Sequence, residues 1–326
     1  GDHRDLHLSL RRQRQMCIRD RDKNLILIRG IFMDKERLGF IGLGTMGMPM
    51  SLNLLKSGNS LSIWGRDKNK LEEAIKAGAT LLENPKVMAA NCDVIFLCVF
   101  DAEAVEEIVF GPNGISEGAH DNLLIVDHSS IHPEKAREIA NKLNSSSGAN
   151  WVDCPVSGGK YGARDGLLVM MAGGSDHDIE RWKPLGEPTS HRLTHMGPIG
   201  CGQATKLVNQ AIIGAEIAVL AEMFGFANKY GVDVKNIPDA LAGGWADSTV
   251  LQDHARRMIK AEYWETAPGN TIKDLNTVCD MGKITSSPMP ISSLTTQLYR
   301  YLDAQGEASK GQIGLMRLYI RESLDK

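Results

Sequence analysis

Short apolar runs alternate with amphipathic segments from residue 38 to about residue 197. Continuous runs such as Val94–Val99 are typical of strands buried on both faces. The spacing predicts strands at 38–41, 61–64, 94–99, 123–127, 151–154 and 167–172, and helices at 45–57, 68–77 and 133–143. Strands that alternate with helices of about 10–15 residues indicate βαβ units and a mainly parallel sheet.

The pattern becomes purely helical after about Gly197. One long helix is predicted at Gln203–Tyr230, and further helices at 234–241, 248–259, 272–283 and 291–304. We therefore expect an α/β Rossmann-type doubly wound sheet followed by an all-α C-terminal domain. Residues 33–198 would form the dinucleotide-binding domain, and residues 199–326 the domain for substrate binding and oligomerisation.

A glycine-rich turn connects the first predicted strand to the first predicted helix. It reads Gly42-Leu43-Gly44-Thr45-Met46-Gly47, which is the pattern G-x-G-x-x-G. Gly42 permits a tight turn, Gly44 lets the backbone approach a pyrophosphate, and Gly47 lets the helix pack on the sheet. The helix N terminus offers N–H groups to phosphates. We expect these six residues to bind a dinucleotide; the alternative is a tight turn that merely contains three glycines.

The end of the second strand favours NADP over NAD. Enzymes that select NAD usually place a carboxylate there to bind the ribose 2′-hydroxyl. Gly65 stands at that place and Arg66 follows it, so a 2′-phosphate would meet a guanidinium instead of a carboxylate. Lys68 and Lys70 add positive charge nearby. The alternative is that Arg66 is solvated and that Asp67 supplies the carboxylate one position late.

Two segments that follow strands could bind substrate. Ser130 follows the fourth predicted strand, at the sheet edge where open α/β folds bind ligands. It could equally cap the next helix. Ser157, Gly158 and Gly159 follow the fifth predicted strand, and their consecutive backbone N–H groups suit a carboxylate. A plain turn is the alternative for this segment.

Lys206 lies one turn inside the long helix, among small and apolar residues. Asn209 and Gln210 follow at i+3 and i+4, on the same helix face. Partial burial lowers the pKa of a lysine towards neutrality, where it can donate a proton to a carbonyl oxygen or accept one from a hydroxyl. The two amides could orient the lysine and bind a substrate hydroxyl. The alternative is a solvated helix lysine.

Composition excludes several other classes of protein. The 326 residues are 42% apolar and 24% charged, which excludes a disordered chain, and the net charge of −3 does not favour nucleic acid as a partner. No uninterrupted apolar run reaches the roughly 20 residues of a membrane span. The six cysteines lack CxxC spacing and the histidines lack metal-ligand spacing. We therefore expect a cytoplasmic protein with reduced thiols and no metal.

Residues 1–32 do not share the pattern that follows. They contain eight of the 37 Lys and Arg residues together with four Asp, and they have no clear periodicity. A basic arm for RNA or membrane and a mitochondrial transit peptide are two interpretations. The run 12–21 looks instead like translated adapter or vector sequence. We expect a non-native or disordered extension, with Met33 as the start of the protein.

Five segments form an ordered set of motifs: GFIGLGTMGMPM at 39–50, DHSSIHP at 127–133, DCPVSGG at 153–159, GCGQATKLVNQ at 200–210 and KDL at 273–275. On these motifs the chain resembles, over residues 38–320, the β-hydroxyacid dehydrogenase family, which includes 3-hydroxyisobutyrate dehydrogenase and tartronate semialdehyde reductase. Val99-Phe100 replaces a common Leu-Pro, which alters the expected adenosine-side loop. The segment 262–270 matches poorly, so its pocket residues cannot be carried over, and Trp245 is bulkier than usual, which leaves substrate choice open.

The resemblance implies a role for each matched position. The general acid/base would be Lys206. The other positions would bind substrate (Ser130, Ser157, Gly158, Gly159, Asn209 and Gln210) or contact the cofactor (Val99, Phe100, Ser130 and Lys273, besides the glycine-rich turn and Arg66).

The sequence thus predicts an oxidoreductase that uses NADP, or else NAD, and acts on a short 3-hydroxy acid or its semialdehyde. Its partner would be a small carboxylate, with no nucleic acid and no membrane. Because the long apolar helix exceeds what one small domain buries, we also expect a homodimer or homotetramer. An imine reductase-like enzyme and a non-catalytic dinucleotide-binding module are the alternatives. Lys206 argues against the first, and Lys206 together with Lys273 argues against the second.

Overall fold

The computed structural model describes residues 36–263 and 270–320. The predicted extension 1–32 and residues 264–269 of the poorly matching segment lie outside the described residues. Contacts within the chain define a compact unit that begins at Leu38. All the elements given below belong to that unit.

Nine strands form one sheet in the described part of the chain, in the order β3-β2-β1-β4-β5-β6-β8-β7, with β9 beside β8. The strands from β3 to β6 run parallel, β8 is antiparallel to β6 and β7, and β9 is parallel to β8. Their bounds are β1 Leu38–Ile41, β2 Leu61–Trp64, β3 Thr80–Leu81, β4 Val94–Leu97, β5 Leu124–Asp127, β6 Asn150–Asp153, β7 Val156–Ser157, β8 Leu168–Gly173 and β9 Ser190–Gly197.

Helices cover both faces of this sheet. Phe40 and Phe96 belong to one buried cluster, while their strand neighbours Ile41 and Leu97 belong to another, because successive side chains point to opposite faces. The helices are α1 Gly47–Lys56, α2 Glu72–Lys76, α3 Pro85–Asn91, α4 Ala102–Phe110, α5 Pro133–Ser147, α6 Gly159–Asp165 and α7 Asp176–Gly186. The order 3-2-1-4-5-6 places a topological switch point between β1 and β4, where such folds bind dinucleotides.

Beyond Gly200 the described secondary structure is helical, and it packs around a third buried cluster. The helices are α8 Cys201–Tyr230, α9 Ile237–Leu241, α10 Arg256–Lys260, α11 Asn270–Ile284 and α12 Pro290–Ala304. The cluster joins α8 to its neighbours through Ile217, Phe224, Leu275 and Tyr299. The predicted fold class, a doubly wound sheet followed by an all-α part, is confirmed.

Several predicted boundaries need correction. The predicted helix 68–77 is divided into a 3₁₀ turn at Lys68–Leu71 and α2, because Asp67 Oδ1 accepts a hydrogen bond from Asn69 N and caps the tighter turn. The predicted strand 94–99 ends at Leu97, since Val99 donates its N–H to Ser129 Oγ. The sequence pattern also missed β3, β7, β9, α3, α4, α6 and α7.

Within the described residues, α8 is long and apolar enough to cross a membrane by length and composition alone. Glu216 and Glu222 interrupt its apolar run, which is why the sequence pattern did not predict a span. One such helix is weak support for a membrane protein, because a long helix of a globular fold passes the same test. Its first turn lies against the sheet: a Cβ at Gly202 would be 2.5 Å from the carbonyl oxygens of Asp153 and Met171.

Candidate active site

The three glycines of the turn after β1 have different neighbours. Gly42 has φ +94°, and a Cβ there would lie 2.2 Å from Cys98 O. A Cβ on Gly47 would lie 2.0 Å from Gly42 O, whereas one on Gly44 would meet no described atom within 4 Å. The fold therefore requires glycine at Gly42 and Gly47, while Gly44 borders the open space where a pyrophosphate would approach.

The N terminus of α1 is suited to an anion. No described side chain caps it, and its first turn contains no acidic residue. The partial positive charge of the helix end is therefore available to phosphate groups. Together with the open space beside Gly44, this arrangement fits the dinucleotide that the motif predicts.

Arg66 lies in the loop that follows β2 and is exposed. Its Nη1 is 3.3 Å from Glu107 Oε2 on α4, whose side chain is also exposed. The nearby carboxylate of Asp67 is already engaged, because its Oδ1 accepts from Asn69 N at 3.1 Å. A side chain in place of Gly65 would press on Leu71, 3.0 Å from a Cβ. Both side chains therefore have a partner within the described residues, and the choice between them stays a prediction.

Lys206 faces a cavity of about 300 Å³ between the end of β5 and the starts of α8 and α11. The described residues that line it include Ser130, Gln203, Lys206, Lys273 and Asp274. The sequence motifs that contain Ser130, Lys206 and Lys273 are more than 60 residues apart in the chain, and the fold brings them to one wall. No group of three described His, Cys, Asp or Glu side chains is arranged to hold a metal ion.

Burial lowers the pKa of Lys206 to about 8. Asp274 raises this pKa and Lys273 lowers it, and both effects are smaller than that of burial. An ordinary lysine has a pKa near 10.5, so Lys206 changes its protonation state much closer to neutrality. A group that can both give and take a proton near neutral pH is suited to general acid/base catalysis.

Lys273 bridges two loops of the Rossmann half. Its Nζ donates to Phe100 O at 3.2 Å and to Ser130 O at 3.1 Å, and it lies 5.1 Å from the centre of the Phe100 ring. The predicted cofactor residue Phe100 is exposed, and its neighbour Val99 is held by Ser129 Oγ. Lys273 therefore joins two loops that both carry predicted cofactor contacts.

The two predicted amides form a chain of hydrogen bonds with α11. Asn209 Nδ2 donates to Gln210 Oε1 at 3.0 Å, and Gln210 Nε2 donates to Asp274 Oδ2 at 2.7 Å. This chain holds Asp274 near Lys206, where it raises the pKa of the lysine. Gln210 thus acts on the lysine through Asp274 in this structure.

The segment Ser157-Gly158-Gly159 is not among the described residues that line the Lys206 cavity. Ser157 ends β7, Gly158 and Gly159 have φ of +131° and +59°, and α6 begins at Gly159. A Cβ on Gly159 would meet no described atom within 4 Å, so the turn borders open space. Its predicted contact with a substrate carboxylate stays a prediction.

The sequence did not predict the contacts of two buried residues, Asp153 and Gln203, that join α8 to the sheet and its loops. Asp153 accepts from Gly200 N at 2.6 Å and from Gln203 N at 2.7 Å, and so caps α8. Gln203 donates from Nε2 to Ser129 O at 2.7 Å and accepts from Ile131 N at 3.1 Å. Both residues lie inside the family motifs, at positions to which the resemblance gave no role. The signal that could have identified Asp153 is a carboxylate at the end of a buried strand.

Two family models match the chain, and they meet near the predicted domain boundary. The model for the NAD binding domain of 6-phosphogluconate dehydrogenase matches residues 37–197. The model described as NAD-binding of NADP-dependent 3-hydroxyisobutyrate dehydrogenase matches residues 200–319. The chain belongs to the β-hydroxyacid dehydrogenase family. It is an NAD(P)-dependent 3-hydroxyacid dehydrogenase or reductase, as the motifs predicted; the division into two domains stays a prediction.

Named relatives agree with this family. The 2-hydroxy-3-oxopropionate reductase of Escherichia coli (strain K12) is 37% identical over 274 residues, or 83% of this chain and 92% of that protein. Mycobacterium tuberculosis 3-hydroxyisobutyrate dehydrogenase, solved with L-serine, has a TM-score of 0.80 at 24% identity and covers 87% of this chain and 99% of its own. Psf3, solved with NADP⁺ and 2-OPP, has a TM-score of 0.74 at 24% identity, and the match covers 86% of this chain and 99% of Psf3. The cofactor prediction is confirmed as NAD(P).

Proposed function

We propose that this enzyme interconverts a short 3-hydroxy carboxylic acid and its semialdehyde by hydride transfer, with Lys206 as the general acid/base. The observation that carries the proposal is the burial of Lys206 in a cavity of about 300 Å³ whose wall also contains Ser130 and Lys273. The lowered pKa of about 8 supports a proton-transfer role for this lysine.

The proposed chemistry needs one proton and one hydride in each direction. The nicotinamide cofactor, when bound, supplies or accepts the hydride. In reduction, the aldehyde carbon gains the hydride, the carbonyl π electrons move to oxygen, and the Lys206 ammonium donates its proton to that oxygen. In oxidation, neutral Lys206 accepts the hydroxyl proton while the carbon–hydrogen bond breaks. Lys206 thus shifts between its two protonation states once in each turnover.

The other predicted residues would place the substrate. We assign its carboxylate to the backbone N–H groups and hydroxyl of Ser157, Gly158 and Gly159, because the turn borders open space at Gly159. Ser130 lines the Lys206 cavity and would contact the substrate oxygen atoms there; Asn209 and Gln210 are not among the described residues that line it, and their contact with substrate stays a prediction. Correct placement supplies much of the rate in such reactions, so loss of the carboxylate contact should lower kcat as well as raise KM.

We further propose NADP as the preferred cofactor. The support is the exposed guanidinium of Arg66 and the use of the Asp67 carboxylate in capping the 3₁₀ turn. Lys68 and Lys70 lie in the same turn and add positive charge. A 2′-phosphate would therefore meet cations where NAD-selecting enzymes present a carboxylate.

A homodimer or homotetramer that pairs through α8 is part of the same proposal. Five apolar side chains on this helix are each more than half exposed, namely Val208, Ile212, Val219, Phe226 and Tyr230. They recur at spacings of four or seven residues, as in helices that pack lengthwise on one another. A cytoplasmic location, a small carboxylate as the partner, and the absence of nucleic-acid and membrane partners stay predictions.

The test follows NADPH and NADH oxidation separately with tartronate, methylmalonate and succinate semialdehydes, and with glyoxylate. A cyclic imine is added for the imine reductase alternative. We expect turnover of one or more semialdehydes with NADPH faster than with NADH. Turnover of the imine alone would overturn the proposal. Cofactor binding without turnover of any compound would instead support a non-catalytic module, and faster use of NADH would overturn the assignment of Arg66.

A further inference from the structure

The Gln203 side chain joins α8 to the loop that follows β5. Gln203 is only 1% exposed, and both ends of its amide are hydrogen-bonded to this loop. Nε2 donates to Ser129 O at 2.7 Å, and Oε1 accepts from Ile131 N at 3.1 Å. These two partners are the residues immediately before and after Ser130. The amide therefore spans the peptide segment that presents Ser130 to the cavity.

The start of α8 is held by other contacts as well. Asp153 accepts hydrogen bonds from the N–H groups of Gly200 and Gln203, and the Gly202 backbone lies directly against the sheet. The helix would therefore keep its place without the Gln203 amide. The Gln203 amide instead fixes the position of the 129–131 segment relative to α8.

Lys206 follows Gln203 by three residues, so their side chains leave nearly the same face of α8, about 4.5 Å apart along the axis. The loop carbonyl between the two Gln203 contacts, Ser130 O, accepts from Lys273 Nζ at 3.1 Å. Three consecutive residues of the loop are thus held from α8 on one side and α11 on the other.

We infer that Gln203 is a positioning residue that sets the separation between Lys206 and Ser130, and that it does so through its two hydrogen bonds to the loop. The inference rests on the proposed function, in which Lys206 exchanges a proton with a substrate held beside Ser130. A displacement of about 1 Å in such a site costs about 100-fold in rate. Loss of the amide should therefore lower kcat much more than it changes cofactor binding.

The first experiment compares Gln203→Met with Gln252→Met. Methionine has a similar length but neither donates nor accepts strongly, so it fills the space without the two hydrogen bonds. Gln252 is a matched control, since its Nε2 donates to Pro238 O and Asp247 Oδ1 away from the cavity. We expect Gln203→Met to lower kcat by about 10- to 100-fold with a smaller change in the NADPH Kd, and Gln252→Met to leave kcat unchanged. Equal effects of the two changes on kcat would overturn the inference.

A double variant separates positioning from general loss of structure. If Gln203 acts through Lys206, adding Gln203→Met to Lys206→Ala should lower kcat by less than about threefold further. A full additional 10- to 100-fold loss would overturn the inference.

Gln203→Glu is the variant to test if Gln203→Met fails to fold. Its protonated carboxyl group can again donate to Ser129 O, so we expect its kcat to recover as pH falls. A pH profile that matches the wild type would contradict this.

A substrate-free measurement keeps the inference separate from the proposed function. Amine labelling of the intact protein at a series of pH values, read by mass spectrometry, gives the midpoint at which Lys206 loses its proton. The charged or titratable groups around it are Asp274 and Lys273 on α11, and Asp101, Glu103 and His132 across the cavity. We expect Gln203→Met to move the midpoint upwards, because a displaced loop admits water. A midpoint that does not change in Gln203→Met would overturn the positioning role of Gln203. If the midpoint changes but the wild type turns over none of the proposed substrates, only the proposed substrates are contradicted.

Discussion

A Cβ on Gly47 would lie 2.0 Å from the carbonyl oxygen of Gly42, so the two ends of the glycine-rich turn are in direct backbone contact. Gly44, between them, has no described atom within 4 Å of the same position. Position 47 thus needs glycine because a side chain would collide with the Gly42 carbonyl. Position 44 would need glycine only because a bound ligand would fill the space beside it.

Gly44→Ala should therefore affect cofactor binding, whereas Gly47→Ala should affect the stability of the fold. Gly44→Ala should leave the thermal midpoint within about 2 °C of the wild type and weaken NADPH binding by at least about tenfold. Gly47→Ala should lower the midpoint by several degrees, since overpacking of this type costs about 1–3 kcal/mol. Calorimetry and fluorescence titration with NADPH measure the two effects. Equal NADPH affinities in Gly44→Ala and the wild type would contradict the placement of the pyrophosphate.

The pKa of Lys206, about 8, gives opposite pH dependences in the two directions of reaction. Reduction needs the protonated lysine, so its kcat/KM, which reports the free enzyme, should fall as pH rises through about 8. Oxidation needs the neutral lysine, so its kcat/KM should rise over the same range. Initial rates from pH 6 to 10 measure both profiles.

Lys206→Ala should remove this pH dependence and lower kcat by at least about 100-fold, with NADPH binding retained. Arg300→Ala on α12 is a suitable control, because its side chain bonds Asn276 away from the cavity. A Lys206→Ala variant whose kcat lies within a few-fold of the wild type would exclude the lysine as the general acid/base.

The ion pair between Arg66 and Glu107 predicts that the two residues act in opposite directions on cofactor choice. Arg66→Gln should raise the Kd for NADPH by about tenfold and leave that for NADH within about twofold. Glu107→Gln removes a competing carboxylate, and since an exposed pair contributes about 0–1 kcal/mol, it should lower the NADPH Kd by up to about fivefold.

Isothermal titration of both cofactors measures these constants. Glu72→Gln is the matched control, because Glu72 forms a similar exposed pair with Lys76 on α2. If Glu107→Gln instead weakens NADPH binding, the carboxylate helps to hold the cofactor and does not compete with it.

The exposed apolar side chains of α8 predict self-association. Val219→Glu places a charge in the middle of this stripe, more than two turns beyond Gln210, and should reduce the assembly to a smaller species at micromolar concentration. Tyr301→Glu, at an exposed position of α12, should leave the assembly intact. Light scattering after size-exclusion chromatography gives the masses. A wild type that is already monomeric under these conditions would contradict the prediction.

Local pattern predicted the parallel core of the fold well. The predicted bounds of β1 and β2 match the structure, since continuous apolar runs bounded by turn residues leave little choice. β9 was missed because most of its side chains are exposed and it pairs only with β8, so it has no apolar run. Helix α3, which begins at Pro85 after the cap Asn84, was missed although both residues are typical of a helix start.

The sequence could name candidate site residues but not their contacts. The motifs named Ser130, Lys206 and Lys273, which line one cavity, whereas Ser157, Gly158 and Gly159 are not among the described residues that line it. The contacts of Asp153 with the N–H groups of Gly200 and Gln203 span 47 and 50 residues. Such pairings depend on how the strand ends meet α8, which no local spacing contains.

The close packing of Gly202 against the sheet shows which part of the fold carries Lys206. The predicted boundary at 198/199 assigns the lysine to the helical half, yet its turn of α8 follows directly on backbone that lies against β6 and β8. Lys206 is therefore anchored to the sheet through its own helix, whereas Lys273 reaches the same cavity from α11.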